Sequence, residues 1–294
     1  MALSANSKGA VMMALAMAAF TCNDALVKSL SSDLNLGQIM VVRGTLTTLL
    51  VYAIARYSGA LAGFRLVLHP LVLARTVLEI TSTVTFLSAL KYMPLPNISA
   101  ILQSLPLAVT LGAALFLKEP VGWRRWSAIV VGFIGVMIIV RPGPEGFTMA
   151  SLLAIFSVFS TAGRDLVTRR IPQHIPSLSI TVFTAAANAI FGVFLIVPLG
   201  GWQPMDPLHM LKLAGAAVFL FVGYQSVITA MRTGEISFVA PFRYVSLLWA
   251  LVIGYLAWSD VPDATVWIGA AIVIASGLYT FYRERRRLNL APKP

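Results

Sequence analysis

Ten apolar runs, each long enough to cross a lipid bilayer as a helix, follow one another along the chain with only short segments between them. A transmembrane helix needs roughly 17–25 mostly apolar residues. The first run contains Asn23 and Asp24 and lacks a small-residue cleavage site, which favours a first transmembrane helix over a signal peptide. The sequence therefore predicts an all-α membrane protein with ten spans, at about 9–29, 36–56, 68–91, 94–117, 122–140, 146–166, 178–199, 208–232, 235–259 and 263–282.

The composition supports a surface that faces lipid. Of the 294 residues, 58% are hydrophobic and 11% are charged, against about 25% charged in soluble domains. The net charge is +11, but the basic residues form short clusters between the apolar runs, so we expect no nucleic-acid partner. The single cysteine, Cys22, excludes a disulfide within the chain, and His69, His174 and His209 lie far apart. We therefore expect no metal site and no cofactor.

The distribution of lysine and arginine predicts the orientation in the membrane. Ten spans place both termini on one side, and with that side inside, fifteen basic residues lie in cytoplasmic segments. Three or four lie on the other side, namely Lys28, Lys91 and Arg141, with Lys212 near it. This bias predicts cytoplasmic termini in the cell inner (plasma) membrane. Arg164 counts as a cytoplasmic charge here, and the tail Arg283–Arg287 as a topology anchor.

The chain also resembles itself at a nearly constant offset. A shift of 140 residues places Leu26 and Val27 on Leu166 and Val167. A shift of 141 residues places Lys91 on Arg232, Glu119 on Asp260 and Trp126 on Trp267. Two five-span halves, 1–143 and 144–294, must lie in opposite orientations because five is odd. Inverted repeats of this kind are typical of secondary transporters, with the substrate site near the midplane. A duplication that serves packing alone stays the alternative.

Three stretches and one basic residue carry a family resemblance. The stretches are Ala89–Pro106, Leu115–Glu119 and Gly132–Gly135, and the basic residue is Arg43 in the second span. Together they resemble drug/metabolite transporters of the EamA type, and the whole chain looks most like the YddG group of aromatic amino acid exporters. The resemblance implies a central cavity lined mainly by helices 1, 3, 4, 6, 8 and 9, with helices 5 and 10 peripheral. Asp260, in place of the usual glutamate, and the loosely matching Gly234–Arg243 depart from the family pattern.

Charged residues at membrane depth are the first candidates for a substrate site. Glu79 lies at the centre of the third span, and Arg75, four residues earlier, is expected to pair with it on the same face, which Ser82 continues. Arg43 and Arg243 lie ~5 Å from the midplane of their spans. A guanidinium suits a carboxylate and a carboxylate suits an ammonium group, so these residues predict a zwitterionic substrate. Glu79 is also the candidate for proton coupling. Purely structural ion pairs are the alternative.

Two further charges and several uncharged residues complete the candidates. Asp24 and Lys28 lie one turn apart and are expected to pair. Polar groups within spans often only bridge helices, which is the alternative for the uncharged polar residues. Pro106 and Pro241 interrupt the fourth and ninth spans and are the predicted hinges. The predicted substrate-binding set is Phe20, Arg43, Glu79, Ser82, Gln103, Tyr224, Arg243 and Tyr244.

These features favour a secondary transporter that exports amino acids, aromatic and other neutral ones, by alternating access. We expect it to act in the lipid bilayer as a monomer or weak oligomer. An exporter of drugs or other small metabolites and a passive channel remain alternatives. A membrane enzyme would need a nucleophile–base pair or a metal-ligand set, and the sequence offers neither. There is no phosphate-binding P-loop, so we expect no ATP-driven pumping by this chain.

Overall fold

The computed structural model describes residues 5–59, 61, 63–116, 118, 122–141, 148–233 and 239–290. Within these residues ten spans are long and apolar enough to cross a membrane, as predicted; the fourth is Leu95–Phe116 and the ninth is Pro241–Trp258. The predicted start of the ninth span at 235, and Glu119, lie outside the described residues. The described helices are α1 (Ala5–Leu30), α2 (Leu36–Tyr57), α3 (Phe64–Val67), α4 (Pro70–Tyr92), α5 (Leu95–Leu102), α6 (Leu105–Phe116), α7 (Trp123–Val140), α8 (Met149–Arg170), α9 (Ser177–Ile196), α10 (Pro207–Thr233), the 3-10 helix (Ala240–Tyr244), α11 (Val245–Trp258) and α12 (Ala264–Leu290).

The fourth span is broken close to its proline. Helix α5 ends at Leu102, and α6 begins at Leu105, with Pro106 in its first turn. Proline has no N–H to donate to the Leu102 carbonyl, and its ring clashes with that carbonyl, so the helix cannot continue. The predicted interruption is therefore present. Pro241 lies instead in the 3-10 helix that leads into α11, and the short helix α3 was not predicted.

Eight of the ten spans form a closed ring. The most extensive contacts join α1 to α10, α2 to α9 and α4 to α8. Smaller contacts join α10 to α2, α9 to α4, α8 to α5 and α6, α5 to α11, and α11 to α1. The order around the ring is therefore first, eighth, second, seventh, third, sixth, fourth and ninth span. Helices α7 and α12 pack on each other and against α5 and α6, outside the ring. This agrees with the peripheral fifth and tenth helices implied by the family resemblance.

The order of the ring confirms that the halves are inverted. Exchanging each span with its counterpart in the other half, first with sixth, second with seventh and so on, gives the same ring read in the opposite sense. A two-fold axis along the membrane normal would preserve the sense of the ring. Only an axis in the membrane plane reverses it, which is the relation between inverted repeats.

Two pairs of spans that this axis relates, the second with the seventh and the fifth with the tenth, cross at glycines. A Cβ atom added to Gly37 of α2 would lie 2.7 Å from the carbonyl oxygen of Gly192 of α9, and one added to Gly192 would lie 2.8 Å from that of Gly37. Gly135 of α7 and Gly269 of α12 approach in the same way, with distances of 2.9 and 2.6 Å. Small residues let helix backbones touch inside a membrane. Gly135, in the Gly132–Gly135 stretch that carries the family resemblance, therefore serves close helix packing.

The ends of α1, α4 and α11 that are predicted to face outside meet at one lysine. The Lys28 ammonium donates to the carbonyls of Leu90 and Met93, at 3.2 and 2.5 Å, and lies 5.6 Å from the ring centroid of Trp258. A cation at a helix C-terminus satisfies the last carbonyls and interacts well with the helix dipole. We call these four residues the outer seam. The expected pairing of Lys28 with Asp24 is wrong, because the open carbonyls at the end of α4 take the ammonium group.

Candidate substrate site

An ion pair joins the third and sixth spans at mid-depth. The guanidinium of Arg164 on α8 donates from Nη1 to Glu79 Oε2 on α4, at 2.8 Å. Its Nε and Nη2 donate to Asp165 Oδ1, at 2.9 and 2.7 Å. The side chains of Glu79 and Arg164 are 13% and 20% exposed. One arginine therefore holds two carboxylates, one on its own helix and one across the helix interface.

Arg75 has other partners than the sequence predicted. Its Nε donates to the Thr168 hydroxyl at 3.1 Å and its Nη1 to the Thr184 hydroxyl at 2.8 Å. The expected ion pair with Glu79 is wrong, because Arg164 reaches that carboxylate from the neighbouring helix. A spacing of four residues permits a pair on one helix, but it does not decide against a partner on another. Arg75 therefore joins α4 to α8 and α9.

A chain of hydrogen bonds links the first and second spans across the ring interior. Arg43 Nη1 on α2 donates to Asn23 Oδ1 on α1 at 3.2 Å, and Asn23 Nδ2 donates to Asp24 Oδ1 at 2.9 Å. In the ring α10 lies between α1 and α2, so these side chains meet on its inner side. Asn23 is buried, and Arg43 and Asp24 are half-buried.

The charged side chains form one balanced group. The charges of Arg164, Arg75 and Arg43 all act on Glu79, and those of Asp24 and Glu79 act on Arg43. With Asp165 there are three arginines and three carboxylates. We call these six residues, together with Asn23, the charge cluster. A lone arginine at the centre of a transmembrane helix costs about 2.5–3.5 kcal/mol on insertion scales, so such charges face the protein interior and act in company.

An aromatic pair lies beside the charges. Phe20 of α1 and Tyr224 of α10 meet edge to face, with ring centroids 5.4 Å apart and an interplanar angle of 77°. Gly223 makes room for this contact, because a Cβ atom there would lie 2.5 Å from the Phe20 ring. The charges of Glu79 and Arg164 reach Tyr224. The structure thus brings four of the predicted residues together, namely Phe20, Arg43, Glu79 and Tyr224.

The remaining predicted residues connect helices. The Ser82 hydroxyl lies 2.5 Å from that of Thr161, which joins α4 to α8. Gln103 Nε2 donates to the Tyr244 carbonyl and to the Ser246 hydroxyl, both at 3.1 Å, which joins the fourth span to the ninth. The Tyr244 ring is buried against Gly277 of α12, and Arg243 is half-buried in the 3-10 helix. Contact of these residues with a substrate stays a prediction.

Three residues of the cluster were missed by the sequence reasoning. Arg164 was counted as a cytoplasmic charge and Asp165 was not considered, but α8 continues to Arg170, so both lie more than a turn inside it. The sequence contained a signal of their depth, because the apolar pair Leu166–Val167 follows the two charges and continues the span. Asn23 was noted only as a polar residue within an apolar run, and nothing in the sequence tied it to Arg43.

Ten spans in two inverted halves, with balanced charges inside the spans, define the architecture of a secondary transporter. The chain belongs to the EamA-like transporter family, whose model matches residues 7–141 and again residues 148–282. The two matches start 141 residues apart (148 − 7), which is the offset found in the sequence. The protein is therefore a membrane transporter of small molecules.

Curated relatives carry several different molecules. A riboflavin transporter of Vibrio cholerae is 32% identical over 74% of this chain and 75% of its own length. An S-adenosylmethionine uptake transporter of Rickettsia bellii is 24% identical over 98% of both chains. A pseudopaline exporter of Pseudomonas aeruginosa is 26% identical over 94% of this chain and 96% of its own. These names do not support the closer likeness to YddG-type aromatic amino acid exporters.

One solved crystal structure of a protein has the same fold. It superposes with a TM-score of 0.67 over 95% of this chain and 98% of the other, at 14% sequence identity. At that identity the likeness concerns the fold alone.

Proposed function

We propose that the protein is a secondary carrier for a small zwitterionic metabolite that bears a ring system, and that it works by alternating access. The observation that carries this proposal is the balanced charge cluster around Glu79 and Arg164 beside the Phe20–Tyr224 pair. The zwitterionic part of such a metabolite has no net charge but two separate poles. A site with separate basic and acidic groups matches the poles without a net charge cost in the membrane.

The relatives support a broader substrate class than free amino acids. S-adenosylmethionine, the cargo named for the Rickettsia relatives, combines a zwitterionic α-amino-acid head with an adenine ring and carries one further positive charge on its sulfonium centre. The head and the ring fit a site with paired charges and an aromatic edge. The amino acids predicted from the sequence have the same zwitterionic head. Export is not part of the proposal, because the relatives include both uptake transporters and an exporter.

Riboflavin is the second candidate substrate. The observation in its favour is the riboflavin transporter at 32% identity. Riboflavin has a flavin ring system and a polyhydroxy chain but no zwitterionic head. It would use the aromatic pair and the hydrogen-bonding groups of the cluster, and would depend less on the paired charges.

The arrangement of the fourth and ninth spans supports alternating access. These spans touch through α5 and α11, which lie toward the predicted outer side, where the outer seam also joins three spans. In the proposed cycle this side closes when the inner side opens. Glu79 stays the candidate for proton coupling, and a monomer is the proposed unit because the cluster is contained in one chain.

Counterflow in proteoliposomes tests the proposal. Vesicles loaded with unlabelled S-adenosylmethionine should accumulate the labelled compound transiently above its external concentration. A carrier does this because it must return loaded, whereas a channel does not. Riboflavin and the twenty amino acids are run as separate cargoes. Absence of counterflow with every cargo would overturn the carrier, and counterflow with riboflavin alone would favour the second candidate.

A matched pair of variants on one helix tests the site. Arg43→Gln removes a charge of the cluster, whereas Arg56→Gln removes one at the exposed inner end of α2. We expect Arg43→Gln to reduce counterflow at least tenfold and Arg56→Gln to leave it within twofold of wild type. Equal effects of the two variants would mean that the cluster is not the substrate site.

A further inference from the structure

We infer that Asn23, Asp24 and Arg43 form the subsite for the α-amino-acid head of the substrate, and that the Asn23 amide occupies this subsite when no substrate is bound. This inference rests on the proposed function and assigns the two poles of the zwitterion to particular residues. It places the head group apart from Glu79 and Arg164, which hold each other.

The three side chains are arranged as a donor, an amide and an acceptor. Arg43 donates to the oxygen of the Asn23 amide at 3.2 Å, and the nitrogen of the same amide donates to Asp24 at 2.9 Å. An amide carries its acceptor oxygen and its donor nitrogen on one carbon. An α-amino acid likewise carries its carboxylate and its ammonium group on one carbon. The Asn23 amide therefore presents, in neutral form, the same acceptor–donor pair that a substrate head would present as charges.

Arg43 has most of its hydrogen-bonding capacity left. A guanidinium has five N–H donors in a planar fork that fits a carboxylate in bidentate fashion. Among the described residues, Arg43 forms one hydrogen bond, to Asn23, and no salt bridge. Glu79, by contrast, already has Arg164 at 2.8 Å. A guanidinium bonded to a neutral amide gains an opposite charge and a bidentate contact from a carboxylate, whereas Arg164 already pairs with two carboxylates.

Asp24 offers the complementary pole. Its Oδ1 accepts one hydrogen bond, from Asn23, and its charge acts on Arg43 without a direct salt bridge in the described part of the chain. The two opposite charges are thus close but separated by the amide. An ammonium group that replaced the amide nitrogen would bring a positive charge to this carboxylate, which the neutral amide does not.

The aromatic pair lies where the rest of the substrate would extend. Phe20 precedes Asn23 by three residues and Asp24 by four, which puts all three on one face of α1. Phe20 also contacts Tyr224 across to α10. A head group held by Arg43 and Asp24 would direct its ring toward Phe20 and Tyr224, in the direction of Glu79.

A binding experiment on the full-length protein in detergent tests each pole separately. The probes are S-adenosylmethionine, its decarboxylated analogue and its analogue without the α-amino group. Wild type should bind the full compound at least tenfold more tightly than either analogue. Arg43→Gln should bind the full and decarboxylated compounds equally, and Asp24→Asn should bind the full and deaminated compounds equally. Variants that weaken all three probes by the same factor would overturn the inference.

Asn23→Asp tests the role of the amide. The new carboxylate would give Arg43 a permanent partner and exclude that of the substrate, while the second negative charge attracts the ammonium group. The decarboxylated analogue should then bind at least as tightly as the full compound, which reverses the wild-type preference. An unchanged preference would refute the idea that the amide stands in for the head group. A residue that only fastens α1 to α2 would not invert a ligand preference.

The controls separate the possible failures. Arg56→Gln and Asp33→Asn remove the same charges outside the cluster and should leave the three affinities in the wild-type ratio. If a neutral variant does not fold, Arg43→Lys and Asp24→Glu keep the charge and should reduce the preference only in part. Wild type that binds none of the probes and shows no counterflow with any cargo would overturn the proposed function as well. The expected binding pattern without counterflow would overturn carrier function alone.

Discussion

Substitution of Glu79 by glutamine should destabilise the protein through the arginine that it leaves behind. Glu79 is 13% exposed and Arg164 is 20% exposed. Removal of one partner from a buried ion pair costs about 3–5 kcal/mol, because the other charge is left uncompensated. Arg164 would keep its two hydrogen bonds to Asp165, so we expect a smaller loss, about 2 kcal/mol. For a protein of this size, that corresponds to a fall in Tm of about 4–8 °C.

A double-mutant cycle separates the pair from its surroundings. Arg164→Gln should cost more than Glu79→Gln, since it leaves both Glu79 and Asp165 without their partner. The variant with both substitutions should be about as stable as Arg164→Gln alone, which corresponds to a coupling energy of about 2 kcal/mol. Asp165→Asn is the control. Its carboxylate is 31% exposed, and the pair across the helices stays intact, so the loss should be about 1 kcal/mol or less.

The measurement is thermal unfolding in one detergent at fixed protein concentration, followed by intrinsic fluorescence and by the recovery of monodisperse protein after heating. The coupling energy between Glu79 and Arg164 is the quantity that tests the prediction. If the cost of the double substitution equals the sum of the two single costs, the pair contributes nothing specific. This contact would then not hold α4 and α8 together.

Four further predictions concern packing, the outer seam, acid stability and topology. Gly37→Ala should lower stability by about 1–3 kcal/mol, because its Cβ would meet the backbone of α9, whereas Gly122→Ala, with open space around it, should be neutral in thermal unfolding. Lys28→Met removes the bonds to Leu90 and Met93 that close the outer seam. In a Cys22→Ala background it should therefore speed the labelling of Ser246→Cys by an impermeant maleimide added outside. Lys212→Met is the control, and an unchanged labelling rate in Lys28→Met would contradict the seam. Burial alone raises the pKa of Asp263, but hydrogen bonds from the Val266 amide and the Thr265 hydroxyl, together with the Arg141 guanidinium, hold that pKa below its usual value. The ionised Asp263 carboxylate therefore stabilises the fold fully above its unfolded-state pKa, and this stabilisation is lost as pH falls. Between about pH 5 and pH 3 the Tm of wild type should fall more than that of Asp263→Asn. Parallel curves of Tm against pH for the two proteins would disprove this. Lys118→Cys and Val261→Cys should label from inside and outside respectively, and labelling from one side only would break the inverted-repeat topology.

The spans and their duplication were predictable because both are local properties of the sequence. A run of apolar residues must become a helix in lipid, since every backbone group there needs an internal partner. The offset near 141 residues gave the number of spans in each half, and an odd number requires inversion. Pro106 marked the break in the fourth span for an equally local reason, because the effect of proline is confined to its own turn.

The partners of the charged residues were not predictable in the same way. Arg75 and Lys28 were each assigned to the carboxylate one turn away, and in each case a group on another helix was the better partner. Sequence spacing reports which side chains share a face. It does not report which helix packs against that face, and the order of the ring decided both contacts.

The depth of Arg164 was misjudged because one residue type serves two purposes. Arginine at the end of a span is a topology signal, and arginine inside a span is a functional or structural charge. The predicted end of the sixth span at 166 made the first interpretation natural. The helix continues to Arg170, and that one additional turn moves Arg164 from the membrane surface into the cluster.

The order of the ring also constrains how the protein can be assembled as it is synthesised. The most extensive contacts of the first, second and third spans are all with the eighth, seventh and sixth, which the ribosome makes later. When the first half has been inserted, Arg43 and Glu79 are in the membrane while Arg164 and Tyr224 do not yet exist. The surfaces of the first half that pack against the second half therefore need a partner other than lipid until the second half is inserted. Each half folds against the surface of the other.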